Sequence, residues 1–228
     1  MTCTQNSLAC PALLVDGSGS SFFSGVLGGD GDWLAFEKAA EPALESLFKT
    51  VDRVLQSAAI ELEAIRSFIY CEGPGSVLGL RLCAMAIETW RHIHAAPMEL
   101  YAYNSLQLLA ARLQKENKIT AESLLISDWK KDYWNSLTIG PEGAGEVCPI
   151  SADELAQWQG PLYHLPARKG WQTPPANAMQ LGYDPECLNQ LLPFPDLLQA
   201  RDQVELYNSG INTFQKWRPE RHRATTSR

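Results

Sequence analysis

Several chemistries are excluded by what the chain lacks. The six cysteines, Cys3, Cys10, Cys71, Cys83, Cys148 and Cys187, form no Cys-x-x-Cys pair and no zinc-type spacing. They therefore read as free thiols of a reducing compartment rather than as a metal or dithiol site. No His-x-x-x-His or His-Glu-x-x-His occurs. His92 and His94, two apart, would fall on different faces of a helix and cannot chelate one metal there. His164 and His222 stand alone, and no Ser–His–Asp set or catalytic pair of carboxylates stands out. No apolar run is long enough to span a bilayer. No Lys or Arg precedes Lys38, so the basic start of a secretory leader is missing. Basic residues are also outnumbered, 19 against 26 acidic ones, for a net charge of −7, which makes the chain a poor nucleic-acid binder by itself. The expectation is a cytoplasmic protein with no metal, no cofactor and no membrane contact.

What is present is a long alternation of strands and helices. With 228 residues and 45% hydrophobic content, the chain can bury a substantial core. Ala12 to Val15, Phe22 to Leu27 and Trp33 to Glu37 read as a three-strand meander, with Gly-rich turns between them. Glu41 to Gln56 reads as a helix with Pro42 at its first position. Leu44, Leu47, Phe48, Val51, Val54 and Leu55 make its apolar face, and Ser46, Lys49, Thr50 and Arg53 its polar one. Ser67 to Tyr70 is a buried strand. Val77 to His94 is a second long helix, apolar nearly all round: Leu78, Leu82, Met85 and Ile93 mark one side, and Leu80, Cys83, Ala84, Ile87, Trp90 and Arg91 others. Such a helix must be covered nearly all round, by its own domain or by a partner.

Met98 to Tyr103 reads as a strand. Asn104 then caps a helix over Ser105 to Lys115, whose stripe is Leu106, Leu109, Ala110 and Leu113. Glu122 to Ile126 and Asp132 to Ile139 read as paired strands with Lys130 and Lys131 at the tip. After the loop at Gly140–Gly143 the pattern weakens. Ser151 to Trp158 reads as a short helix with Glu154 in capping-box position, and Pro161 to Leu165 as a strand. Gln172 to Asn177 reads as a linker-like loop, Asp184 to Leu192 and Asp196 to Ala200 as short helices, and Val204 to Tyr207 as an edge strand. Residues 218–228 form a basic tail.

The stretch from Cys71 to Arg81 joins a strand to a helix through Gly73-Pro74-Gly75-Ser76. Gly73 and Gly75 permit a tight turn, and Ser76 can cap the helix. Glycines before a helix N-terminus can cradle a phosphate. Here no Lys follows them and Glu72 adds an opposing charge, so a structural elbow (Gly73, Pro74, Gly75, Ser76 and Gly79) is the expected reading. Asp16, at the end of the first strand and followed by Ser18, reads as an Asx turn, which turn chemistry favours; the resemblance set out below implies the alternative of a vestigial phosphate and metal site there.

Gly73-Pro74-Gly75-Ser76-x-x-Gly79-x-Arg81 resembles the GPGSFTGxR signature of the TsaB family, part of the actin-like, glycoprotease-related ATPase superfamily. Leu13-Leu14-Val15-Asp16-Gly17-Ser18 resembles that family's opening strand. Ala96-Pro97-Met98 with Asn104-Ser105-Leu106, and Ile126-Ser127-Asp128 with Asp132-Tyr133-Trp134, follow in matching order. Val77 and Leu78 depart from the usual Phe and Thr. The resemblance implies an α/β, actin-like or ribonuclease-H-like fold with two βββαβα-type halves, the second reduced. It places the first half at 1–103, completed by a segment near 203–217, and the second at 104–202.

It also implies a non-catalytic scaffold of the bacterial complex that makes N6-threonylcarbamoyladenosine in tRNA. Such a scaffold binds and activates the catalytic subunit TsaD through two long helices, with the ATPase TsaE in a larger complex and tRNA reached only indirectly. On that basis Leu44, Phe48, Val51, Leu80, Ala84, Ile87 and Arg91 are the expected contact residues. Two alternatives stand beside it: a nucleotide-using enzyme with ATP and magnesium at Asp16 and the Gly73–Gly75 turn, and a self-pairing structural protein, a homodimer when alone.

Overall fold

The computed structural model describes residues 8–119, 121–166, 173–194 and 196–208. The basic tail and His222 lie outside them.

Among the described residues, eleven strands fall into two sheets. The first three, β1 (Ala12–Asp16), β2 (Phe22–Leu27) and β3 (Trp33–Ala39), form the expected meander, followed by helix α1 (Ala43–Ala58). Strand β4 (Ser67–Gly73), helix α2 (Val77–Ile93) and strand β5 (Glu99–Asn104) complete the first half. The sheet order is β3-β2-β1-β4-β5, with β1, β4 and β5 parallel and β2 antiparallel to both its neighbours. Parallel strands covered on both faces read as continuous apolar runs. That is why Ala-Leu-Leu-Val and Phe-Ile-Tyr-Cys carry no polar alternation.

The alternation is between two cores instead. Leu13, Val15, Phe68, Tyr70, Leu100 and Ala102 face α1 and α2. Leu14, Ile69, Cys71, Tyr101 and Tyr103 face the other way. There they meet helix α3 (Ser105–Lys115) and the later residues Leu188, Leu191 and Leu197.

Helix α3 is shared between the sheets. Asn104 caps it, accepting from the Leu106 amide at 3.0 Å. Leu108 and Ala111 face the first sheet. Leu106, Leu109, Ala110 and Leu113, the stripe expected from sequence, face Leu125, Leu137 and Ile139 of the second.

The second sheet repeats the first in miniature. Its strands are β6 (Ser123–Lys130), β7 (Tyr133–Gly140), β8 (Gly143–Ser151), β9 (Leu162–His164) and β10 (Met179–Gln180). Their order, β8-β7-β6-β9-β10, is that of the first half, with β6, β9 and β10 parallel. The reduction is plain. The helix between β8 and β9, α4 (Ala152–Ala156), has five residues and the expected Ser151/Glu154 capping box. The last two strands have three residues and two.

The chain then returns through a 3-10 turn (Pro185–Cys187) and helix α5 (Leu188–Leu191). It ends on the first sheet as β11 (Gln199–Arg201), antiparallel to β5.

Four sequence expectations are corrected. Asp196 to Ala200 is not a helix: it runs into β11. Val204 to Tyr207 is not a strand, although the Glu205 amide bonds the Tyr70 hydroxyl and the Tyr207 amide the Glu72 carbonyl. Strand β8 starts inside the expected loop. As a largely exposed edge strand rich in Gly, Ala and Glu it carries no apolar alternation, and β7 supplies its pairing. Pro42 is the N-cap of α1, one position earlier than expected.

The elbow explains the sequence signature. Gly73 has φ +120°, a value that L side chains rarely adopt. A Cβ on Gly79 would lie 2.0 Å from the Gly17 carbonyl oxygen, and one on Gly75 would lie 2.5 Å from that of Ser18. The first turn of α2 thus packs directly on the backbone of the β1–β2 turn. Helix propensity alone would make Gly79→Ala stabilising by about 1 kcal/mol. The overlap reverses the sign, and a loss of about 2 kcal/mol is expected. A thermal melt of the variant checks it.

Candidate functional site

Two places are built differently from the rest of the surface. One is the cleft between the halves, where β1 and β6 end together. The other is the outer side of α1 and α2.

The cleft has a volume of about 210 Å³ and is lined by Ser18, Lys38, Gly75, Ser127, Asp128 and Tyr183, among others. Asp16 lies beneath it, fully buried. Its Oδ1 accepts the Ser18 amide at 2.7 Å, which is the Asx turn expected from sequence. Its Oδ2 accepts the hydroxyls of Tyr103 and, at 2.6 Å, Tyr183. Burial, and then the Asp16 charge, push both phenols well above the usual tyrosine range. The same causes, in the same order, raise the Cys71 thiol, whose Sγ is 3.7 Å from the Tyr183 hydroxyl. Tyr183 also meets Phe23 edge to face, with ring centroids 6.2 Å apart.

Two of the elbow's amides are spent in the same way. Ser76 N–H donates to the Ser18 carbonyl at 2.7 Å, and the Ser76 hydroxyl accepts from the Gly79 amide at 3.3 Å. Glu72 does not act as the anion-repelling charge read from sequence. Arg201 of β11 pairs with it at 2.9 Å. What opposes a phosphate at the elbow is the packing of Ser18 against it. Among the described residues no three His, Cys, Asp or Glu side chains could hold a metal together. His92, His94 and His164 each bond a backbone carbonyl.

On the outer side, α2 exposes Leu78 (57%), Met85 (68%) and Ile93 (71%), and α1 exposes Leu44 (63%) and Phe48 (64%). Phe48 stands edge-on to Trp90 of α2, with centroids 6.2 Å apart, so the two helices present one surface. Of the seven contact residues expected from sequence, Leu44 and Phe48 are on this surface, and Ala84 and Arg91 are half-buried beside it. Val51, Leu80 and Ile87 lie in the core rather than on this surface.

The error has a physical source. The buried side of α1 runs through Ala43, Ser46, Leu47, Thr50 and Val54, so two polar residues lie inward and two large apolar ones outward. Ser46 is tolerated there because its hydroxyl bonds the Pro42 carbonyl, one turn back, at 2.8 Å. Leu78, Met85 and Ile93, which share one side in the sequence reading, were the better signal. Tyr103 and Tyr183 carried none, because nothing local links either to Asp16.

With this geometry in view, known proteins can be compared. Residues 37–128, about two-fifths of the chain, match the family model described as TsaD, tRNA N6-adenosine threonylcarbamoyltransferase. That stretch runs from β3 to β6 and includes both exposed helices and the elbow. YeaZ from Pseudomonas aeruginosa superposes with a TM-score of 0.60 at 18% identity, covering 80% of this chain and 90% of that one. A second Pseudomonas aeruginosa protein, described as similar to peptidase YEAZ, gives 0.56 at 17%, covering 78% and 89%. A Bacteroides thetaiotaomicron protein titled as having an actin-like ATPase fold and unknown function gives 0.40 at 8%, covering 84% and 99%. No curated protein matches the chain.

The fold is actin-like, and of the YeaZ kind. The resemblance read from the elbow is therefore borne out: the family model covers the signature, and the doubled sheet order is that of the expected architecture. No described helix is long and apolar enough to cross a membrane.

Asp16→Ala leaves the buried Tyr103 phenol and the half-buried Tyr183 phenol without an acceptor. It is expected to destabilise the protein by about 3 kcal/mol or more, measured by denaturant unfolding. The same phenols set an alkaline limit. They stay protonated when folded but ionise near pH 10 when unfolded. Their contribution is therefore complete below about pH 10 and is lost as the pH rises beyond it. Ultraviolet absorbance titration should show Tyr103 and Tyr183, of seven tyrosines, ionising only on unfolding.

Proposed function

We propose that the chain is a non-catalytic scaffold of the machinery that makes N6-threonylcarbamoyladenosine in tRNA, and that it binds and activates a TsaD-type catalytic subunit through the outer side of α1 and α2. The observation that carries this is the run of Leu44, Phe48, Leu78, Met85 and Ile93 on two adjacent helices. Large apolar side chains are costly to leave in water, and a contiguous patch of them marks an interaction surface. The matched family segment contains both helices. YeaZ, whose fold this chain shares, is the TsaB homologue, which favours the scaffold over the transferase.

A cytoplasmic location follows from the reaction assigned, with TsaE joining through the larger complex and tRNA reached through the partner. The nucleotide-using reading has less support: both Asp16 oxygens are taken up by protein donors, and the elbow's first helical turn is packed against Ser18.

Met85→Arg is expected to leave the melting temperature almost unchanged, because the side chain is exposed. It should weaken capture of TsaD by at least tenfold, about 1.4 kcal/mol. Leu78→Asp should do the same, read by pull-down and titration calorimetry. Both variants binding as well as the native chain would remove the basis of the proposal. Light scattering of the chain alone reports whether the same surface pairs with a second copy.

A further inference from the structure

Asp16 joins three parts of the molecule that are remote in sequence. Its own turn, through Ser18, holds the N-terminus of α2: the Ser18 amide reaches Asp16, and the Ser18 carbonyl receives the Ser76 amide. Tyr103 anchors it from β5. Tyr183 reaches it from the return segment, three residues beyond β10 of the second sheet. Tyr183 closes one wall of the cleft, stands edge-on to Phe23 and is half-buried. Two further ties span the same gap. The Tyr207 amide donates to the Glu72 carbonyl of β4 and its hydroxyl to the Val147 carbonyl of β8, at 2.8 and 3.3 Å. The Ser105 hydroxyl donates to the Pro74 carbonyl at 2.7 Å.

We propose that the Tyr183–Asp16 contact is a conformational latch: it ties the return segment from the second half to the β1–β2 turn, and through that turn fixes the N-terminal end of α2. The path is contiguous and made of short links. It runs from the Tyr183 hydroxyl to the Asp16 carboxylate, from there to the Ser18 amide, and from the Ser18 carbonyl to Ser76. Backbone touches backbone at Gly17 and Gly79, where there is no space for a side chain to yield. A displacement of the turn must therefore move the helix. The first exposed apolar residues of α2, Val77 and Leu78, follow at once. Closure of the cleft at one side of the first sheet thus sets the position of the helix on the other. The latch does not depend on which partner the helix meets, since it is a property of the single chain.

Hydrogen exchange on the isolated protein tests this. In Tyr183→Phe the ring stays and only the hydroxyl is lost. Exchange is expected to accelerate at least tenfold in segment 179–191 and, remotely, at the amides of 76–80, which Tyr183 does not touch. Strands β6 and β7 should keep native rates. Tyr103→Phe removes a hydroxyl from the same carboxylate but within the first half, and should leave 179–191 at native rates. Unchanged exchange at 76–80 in Tyr183→Phe overturns the proposal. So does uniform acceleration across the chain, or an identical pattern in the two variants. Because the readout uses no partner, a negative result here and a failure of TsaD capture are separate outcomes.

Discussion

The close approach of two backbones, Gly17–Ser18 against Gly75–Gly79, is the constraint on which the rest of the structure depends. It forces glycine at Gly79, where a Cβ would sit 2.0 Å from a carbonyl oxygen. It goes with the use of two amides, those of Ser76 and Gly79, that would otherwise make the site more receptive. A helix N-terminus offers free amides and a positive dipole end, and a glycine-rich turn before it can expose them to a phosphate. Here the Ser76 amide goes to the Ser18 carbonyl and the Gly79 amide to the Ser76 hydroxyl. Geometry of the kind used elsewhere to hold a ligand serves in this chain to hold a helix.

The same substitution of protein groups for ligand groups continues one strand end deeper. A buried carboxylate without a counter-charge is costly unless donors surround it. Asp16 has three, two of them phenols. The arrangement stabilises both partners: the tyrosines keep their protons and the carboxylate keeps its donors. It also binds the return segment to the first sheet, which gives the reduced second half a firm attachment despite its five-residue helix and two- and three-residue strands.

Much of this was legible in sequence, and the boundary is physical. Local chemistry read correctly: the Ser76, Asn104 and Ser151 caps, the Asx turn at Asp16 and the stripe of α3 all depend on neighbours within four residues. The order of elements in the first half followed from runs of apolar residues between glycine turns. Three things were not legible. The edge of the inward side of α1 was misplaced: Leu47, Val51, Val54 and Leu55 are buried as read, but a count of large apolar residues cannot anticipate that Ser46 and Thr50 will be buried with satisfied hydroxyls while Leu44 and Phe48 face water. Strand β8 was missed because an edge strand needs no apolar face of its own. The Tyr183–Asp16 contact spans 167 residues of chain, and no periodicity encodes it.

The misreading of α1 bears on function. Had the large apolar residues all faced inward, the helix pair would be an ordinary layer over a sheet, closed by polar residues outside. Instead small residues, Ala43, Ser46 and Thr50 on α1 and Gly79, Cys83 and Ala86 on α2, share the core with Leu47, Val51, Val54, Leu80, Ile87 and Trp90. Leu44, Phe48, Leu78 and Met85 stand outside it. Leu44 and Met85 are largely exposed where they stand, and Phe48 keeps only part of its surface against Trp90. On the scaffold reading proposed above this surface is the one a partner covers, and the seating of α2 on the β1–β2 turn would give it a fixed shape beforehand. Preorganisation of this kind lowers the ordering cost of association, so a modest apolar patch can suffice for specific binding.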